Sequence, residues 1–441
     1  MRAGVNYIVL LLFVVILLCC VVTGVSVLYA LILGYVLFAV YSLARGFSLG
    51  ELMQMSVNGV KTARKVLITF MLIGILTALW RQSGTIPAIV SYSSTLIVPQ
   101  FFPVIAFLLN CALSFLTGTA FGTAATMGSI CMTIGLAFNM NPVVMGGAIL
   151  SGVFWGDRCS PVSTSALLVS EVTGTNLYNN IKLMFRTSML PFALTCAIYV
   201  LIGFMMPLAE GDIPDVAGMF AREFNIGAVA VIPAAVILLF AFARVNVVKT
   251  MSASIVAAAA VCVMFQGEPL KDVLLCALAG FEAKDAELAA MLDGGGMISM
   301  LKVAGIVCIS ASYAGIFQKT GLLDAVIGLI DKMNSKLSSF VTVVVISVIS
   351  GAVSCNQTLA IMLTQQLCSK IVPDRQKFAI YLENSVVLIA PTIPWSIASG
   401  VPLTSVGAPV IAISMAFYLF LVPVCYAVKQ YFAGKGEHKN I

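Results

Sequence analysis

Asp157, Arg158, Ser160, Ser163 and Thr164 stand together inside the run Gly146–Val172, which otherwise reads as two apolar helices. A carboxylate among hydroxyls is a ligand set for a hard monovalent cation, and a carboxyl is also a group that carries a proton. A second polar island, Glu383-Asn384-Ser385, precedes Pro391, Pro394 and Trp395 and supplies what reads as the other half of the same site. Polar groups of this kind are expensive in apolar surroundings unless something binds or passes there. Other chemistries fare badly. The single histidine, His438, lies in the polar C-terminal tail, which removes histidine-based metal sites and catalytic triads. No HExxH motif occurs, and the twelve cysteines are scattered without a CxxC pair, as inert core residues would be. Phe154–Asp157 lacks the first glycine of the GxGD motif of intramembrane proteolysis. An intramembrane enzyme is therefore the remote alternative. A purely structural protein would have little reason to keep Asp157, Arg158 and Glu383.

The elements that must position these groups follow from composition. Of the 441 residues, 61% are hydrophobic and 10% are charged, with a mean hydropathy of +1.07. A soluble chain of that kind would lack the polar surface to stay in solution. In a lipid bilayer every backbone group must pair within helices or a closed barrel, and long apolar runs without strict alternation select helices. At about 20 residues per span, the sequence predicts an all-α polytopic membrane protein of about 10–12 transmembrane or re-entrant segments. The net charge of +6 calls for no nucleic-acid partner, since basic loops on such a chain set its orientation. The opening runs, Ile8–Val22 and Val25–Ala44, read as a hairpin kept in the membrane, because no small-residue cleavage site separates them. Later spans are expected at Val66–Trp80, Met184–Met206, Ile226–Phe242, Ser252–Phe265, Met297–Phe317, Phe378–Pro394 and Val406–Val428.

Two apolar segments are interrupted. At Thr117-Gly118-Thr119 a discontinuous helix would free carbonyls for a cation and aim a half-helix N-terminus at an anion. Alternatively, Gly118 and Gly122 form a GxxxG packing face. Asn356, Gln357 and Thr358, after Ser350-Gly351, pose the same choice between ligation and interhelical hydrogen bonding. Gly122, Pro161, Gly351, Pro391 and Pro394 are the expected helix breaks. Ser160, Ser163 and Thr164 could cap the helix restarting after Pro161, a role compatible with ligation. Asp157 has a plainer reading too, as the partner of Arg158 at a helix end. Glu171 reads as an exposed helix end and Lys302 as a snorkelling side chain.

The halves resemble each other. Gly46–Leu52 pairs with Gly267–Val273, Trp80–Gly84 with Phe317–Gly321, Ser114–Gly118 with Ser347–Gly351, and Cys159–Pro161 with Ile389–Pro391. The last three pairs are offset by 237, 233 and 230, so order and spacing are kept, as in a repeat. The first-half loop carries Arg45, Lys61, Arg64 and Lys65 against Glu51, whereas Gly267–Asp293 carries only Lys271 and Lys284 among six acids. The basic loop belongs in the cytoplasm and its counterpart outside. Inverted repeats follow, with a first repeat over 1–207, a polar connector over 208–225, a second repeat over 226–428 and a basic cytoplasmic tail over 429–441. Both termini are expected in the cytoplasm. Sites in such folds lie near the midplane where the repeats meet.

Gly156–Ser163 resembles the GD(K/R)xSPxS motif of the NhaC-type sodium/proton antiporters, and Gly46–Leu52, Gly84–Pro87, Leu382–Ser385 and Pro391–Trp395 are similar as well. The resemblance spans nearly the whole chain. It implies a secondary transporter of the bacterial or archaeal inner membrane that exchanges Na+ for H+ by alternating access. The wider family implies an alternative, Na+-coupled movement of an amino acid or small carboxylate, and a homodimer. Na+ is expected near Asp157 and Glu383, with Thr117, Gly118, Thr119, Ser160, Ser163, Thr164, Asn356, Thr358, Asn384 and Ser385 as candidate oxygen ligands, and no bound cofactor. Two departures bear on this. The family pattern continues SPxSDTT where this chain has Thr164, and reads LEDS where it has Asn384. Both remove a carboxylate while keeping an oxygen, which leaves Asp157 and Glu383, ahead of Glu171, as the groups to carry a proton and raises the weight of solute uptake.

Overall fold

The computed structural model describes residues 2–437 except 24, 63, 95–97, 162, 207–215, 244, 286–287, 290–291, 321–329, 331–332 and 335–336. His438, Gly321, Val162 and positions 208–215 of the connector thus lie outside the described residues. The first half comprises α1 (Arg2–Val22), α2 (Val27–Ala44), α3 (Leu49–Thr62), α4 (Arg64–Gln82) and α5 (Thr85–Ser94). It continues through α6 (Phe102–Thr117), α7 (Ala120–Thr123), α8 (Ser129–Ala137), α9 (Pro142–Cys159), α10 (Thr164–Thr173) and α11 (Leu177–Met205). After α12 (Val216–Glu223) come α13 (Ile232–Phe242), α14 (Val247–Met264), α15 (Leu270–Ala279) and α16 (Leu301–Thr320). The second half closes with α17 (Ser339–Ser354), α18 (Gln357–Cys368), α19 (Arg375–Glu383), α20 (Val386–Ile389), α21 (Ile397–Ser405) and α22 (Phe417–Glu437). Among the described residues there is no strand, only an isolated bridge between Phe281 and Gly294.

The all-α membrane class stands. Pro99–Thr117, Ala120–Ala137 and Leu177–Met205 are long and apolar enough to cross a bilayer, and the count rises to five if two helix pairs bent by 60° and 57° each make one span. Shorter apolar helices accompany them. Leu11, Leu33, Met189 and Leu201 are exposed on helix surfaces, as a wall facing lipid requires. One expected span is displaced. Val406–Val428 is not continuous: α21 stops at Ser405, Gly407 turns at φ 69°, and the last helix begins only at Phe417. Ala120–Ala137, a span hidden from the sequence reading by its threonines and glycines, carries a π-turn at Ala124–Gly128.

α6 and α9 pack against each other at close range. A Cβ on Gly152 would sit 2.5 Å from the Phe107 carbonyl oxygen, and one on Gly156 would sit 2.4 Å from the Ser114 Cβ. Only glycine allows this approach, and Ser114 Oγ then donates to the Val153 carbonyl at 2.6 Å. Small residues at such crossings substitute for the hydrophobic drive that lipid removes.

Two series of elements share one order of breaks. After α6, Gly118 takes the left-handed conformation (φ 64°) and Thr119 restarts the chain at φ −147°, ψ 126°. After α17, Cys355 does so at φ 53° and Asn356 restarts it at φ −146°, ψ 130°. Further on, α10 restarts at Ser163 and α21 at Ser396, each hydroxyl accepting an amide of the new helix. Gly122 and Gly351 are therefore not break points: each lies inside a helix, one turn before or after the real break. At the second break, Pro161 corresponds to Pro394 rather than Pro391, which sits in a 3-10 turn at Ala390–Thr392. The halves are interlocked: α4 packs on α14 and α15 while α16 packs on α2 and α3. Likewise α10 lies against α18 and α19, and α21 against α9 and the π-turn.

Candidate functional site

The C-terminus of α9 places Asp157 and Arg158 in the interior, 5% and 0% exposed. They are kept there by Gly152 and Gly156, which press α9 onto α6. Past the break, Ser163 caps α10 by accepting the amides of Ser165 and Ala166 at 3.1 and 3.4 Å. Its hydroxyl donates to Asp157 Oδ1 at 3.0 Å, and Ser165 Oγ donates to Oδ2 at the same distance. The carboxylate thus faces the positive end of α10, a favourable setting for negative charge. Asp157 and Arg158 make no ion pair, so the helix-end lock is not what forms.

Arg158 reaches instead toward the second half. Its Nε donates to the Glu383 carbonyl at 3.0 Å, one of the C-terminal carbonyls that α19 cannot satisfy itself. Nη1 donates to Ser188 Oγ and, at 2.9 Å, to the Tyr418 hydroxyl. Nη2 donates to Thr187 Oγ1 at 3.3 Å and to Asn384 Oδ1. All five N–H groups of the guanidinium are used, none on an acid. A single side chain thereby ties α9 to α11, α19 and α22.

Glu383 is completely buried, and neither of its carboxyl oxygens has a hydrogen-bond partner. Asn384 is equally buried, with its Nδ2 unpartnered. Ser385 is occupied locally, donating to the Tyr381 carbonyl at 2.6 Å and accepting from Ser347 at 3.1 Å. A buried carboxyl without a donor calls for an explanation, and a functional role or a bound ion is among those that apply.

The structure thus brings Asp157, Ser163, Glu383 and Asn384 together around Arg158, with Ser160 buried beside them. Thr164 does not join them: it is the exposed first residue of α10, and Ser165 takes the inward position instead. Glu171 is exposed, as expected of a helix end. Among the described residues no hydrogen bond joins Thr117–Thr119 or Asn356–Thr358 to the two carboxyls. Thr117 and Thr119 line a separate cavity of about 20 Å³ with Thr126 and Thr250, and Thr358 is exposed. Sequence reasoning missed Ser165, Thr187, Ser188 and Tyr418. Thr187-Ser188, polar within an apolar helix, could have been noticed; nothing in the sequence singles out Tyr418.

A sequence profile described as the Na+/H+ antiporter family matches residues 3–174 and 167–435. An uncharacterised Na+/H+ antiporter of Haemophilus influenzae is 26% identical over 77% of this chain and 76% of its own length. The Na+/H+ antiporter NhaC of Alkalihalophilus pseudofirmus is 25% identical over 87% and 86%. The malate-2H+/Na+-lactate antiporter of Bacillus subtilis is 23% identical over 80% and 77%.

Proposed function

This chain belongs to the Na+/H+ antiporter family, and we propose on that premise that it exchanges Na+ for H+ across the cell membrane by alternating access. The carrying observation is a pair of buried carboxyls, one from each half, flanking Arg158: Asp157 precedes it in the chain, and the backbone carbonyl of Glu383 accepts from its Nε. Asp157 has two hydroxyl donors on it and Glu383 has none. Carboxyls buried at this depth call for a cation or a proton to offset their charge. Na+ is held by Asp157 with the hydroxyl oxygens of Ser163 and Ser165 turned toward it, and a proton replaces it for the return.

Alternating access comes from two inverted repeats, the first ending near residue 207 and the second beginning near 226. Support for this reading lies in the matching breaks, the exchanged packing of α4 and α16, and the opposed charge of the segments 45–65 and 267–293, which hold the helices α3 and α15. Both termini are then cytoplasmic.

The second reading is Na+-coupled transport of a small carboxylate, which the malate-lactate relative brings into view. It is the weaker one, because every N–H of Arg158 is taken by the protein and none is left for a solute carboxylate.

The test uses the purified protein in liposomes with a pH-sensitive dye inside. A Na+ gradient should drive proton movement, and Asp157→Asn should abolish it. Sodium-driven uptake of labelled malate or lactate without proton movement would overturn the first reading in favour of the second.

A further inference from the structure

We propose that a groove between α3, the start of α4 and α16 holds an anionic phospholipid of the membrane, its phosphate on Lys61 and Arg64 and its acyl chains along the outer face of α3. The groove has a volume of about 490 Å³ and shares no lining residue with the site around Arg158.

The sequence of α3 builds it. Leu49, Met53 and Val57 recur every fourth residue, which puts them on one face of the helix, and they are 66, 66 and 48% exposed. The opposite face is occupied: Leu52, Met55 and Ser56 are buried, and Gly59 lets the helix lie on the backbone of α16 at Ala311. An amphipathic helix packed on one side and apolar on the other needs a second apolar neighbour, and for a chain that spans a membrane lipid is at hand. The stripe runs on to Lys61, the next position in the same register.

Charge marks that end of the groove. Its lining holds Lys61 and Arg64, both exposed, and no acid. Neither side chain makes a hydrogen bond or ion pair among the described residues. Glu51, the acid on α3, lies about 15 Å from Lys61 along the helix, and it accepts from the Ser48 amide at 2.8 Å and hydroxyl at 2.9 Å. The two hydroxyls of the wall are committed as well. Ser56 shares a hydrogen bond of 2.9 Å with the Tyr35 hydroxyl, and Ser312 donates to the Cys308 carbonyl at 2.9 Å. What remains is an apolar channel of Val57, Val60 and Leu67 with two free cations at its mouth. Arg64 opens α4, and the apolar part of that helix begins at Leu67, so the cations stand at the boundary where phosphate headgroups lie. A soluble phosphate would match the cations and leave the apolar stripe bare. A zwitterionic lipid would match the stripe but bring its own cation toward Lys61 and Arg64.

The proposal does not depend on the exchange reaction above. It is tested by native mass spectrometry of the purified, delipidated full-length protein, titrated in detergent with dioleoylphosphatidylglycerol and, separately, with dioleoylphosphatidylcholine, which carries the same chains. A phosphatidylglycerol adduct is expected at roughly tenfold or more below the concentration needed for phosphatidylcholine. Lys61→Gln/Arg64→Gln should abolish that preference. Lys61→Arg/Arg64→Lys should keep it, as should Lys182→Gln/Arg186→Gln, an exposed basic pair outside the groove. Val57→Gln, at an exposed position, should weaken both lipids several-fold. An undiminished preference in Lys61→Gln/Arg64→Gln, or an equal loss in Lys182→Gln/Arg186→Gln, would overturn the proposal. So would displacement of the lipid by glycerol 3-phosphate, which would make the occupant a soluble phosphate. A protein dimer that Val57→Gln dissociates would overturn it too, by making the occupant a second copy of the chain.

Discussion

At the residue scale the account rests on a division of labour among neighbours. In the proposed exchange Asp157 is the ligand, Ser163 both caps a helix and touches the carboxylate, Ser165 touches it without capping, and Arg158 ties their helix to α11, α19 and α22. These roles separate experimentally. Ser165→Ala should raise the KM for Na+ roughly tenfold, the size of one lost charge-assisted contact of about 1.5 kcal/mol, with little change in Tm. Ser163→Ala should do the same and also lower stability by about 1 kcal/mol through the lost cap. Arg158→Lys keeps the charge but offers three donors in place of a planar five. It should cost about 3 kcal/mol or more, seen as a lower Tm in detergent. Much of this was legible in the sequence, because a carboxylate and hydroxyls in an apolar run are conspicuous. The choice of Ser165 over Thr164 was not: both follow the break, and only the phase of α10 decides which faces inward.

At the element scale the site depends on how closely α9 approaches α6. Gly156→Ala would set a Cβ 2.4 Å from Ser114 Cβ and 2.6 Å from the Phe115 amide nitrogen. Overpacking of this kind costs about 1–3 kcal/mol, and here it would also push Asp157 off its hydroxyls. Lower Tm together with weaker Na+ binding is expected. The control is Gly400→Ala in α21, where nothing lies within 4 Å, and where the change should be neutral or slightly stabilising. The sequence located both interruptions to within a turn but mistook glycines for the breaks. Gly351 is small because Ile393 presses on it, 2.6 Å from where its Cβ would be. The real break falls at Cys355, which no propensity would choose for a left-handed residue. The split of the expected last span into α21 and α22 was hidden for a similar reason, since Val406–Met415 is apolar yet follows Gly407 and Pro409 out of the helix.

At the scale of the whole molecule, the interlocking of the halves makes the proposed site a joint product: Asp157 comes from the first half and Glu383 from the second, and Arg158 ties the two by donating to the Glu383 backbone carbonyl. The proposed inverted arrangement predicts opposite sidedness for equivalent segments. In a cysteine-free background, a cysteine at Ser48 should react with an impermeant thiol reagent only from the cytoplasm, and one at Glu282 only from outside; labelling of both from one side would refute it. The central claim, that Na+ and H+ compete for one buried carboxylate site, is tested most directly by counting protons released per Na+ bound. Calorimetric titration of the purified protein with NaCl, in buffers of different ionisation enthalpy, gives that number. The account predicts proton release on Na+ binding in the wild type, and loss of both binding and release in Asp157→Asn. Na+ binding without proton release, or an Asp157→Asn protein that binds and releases like the wild type, would contradict it.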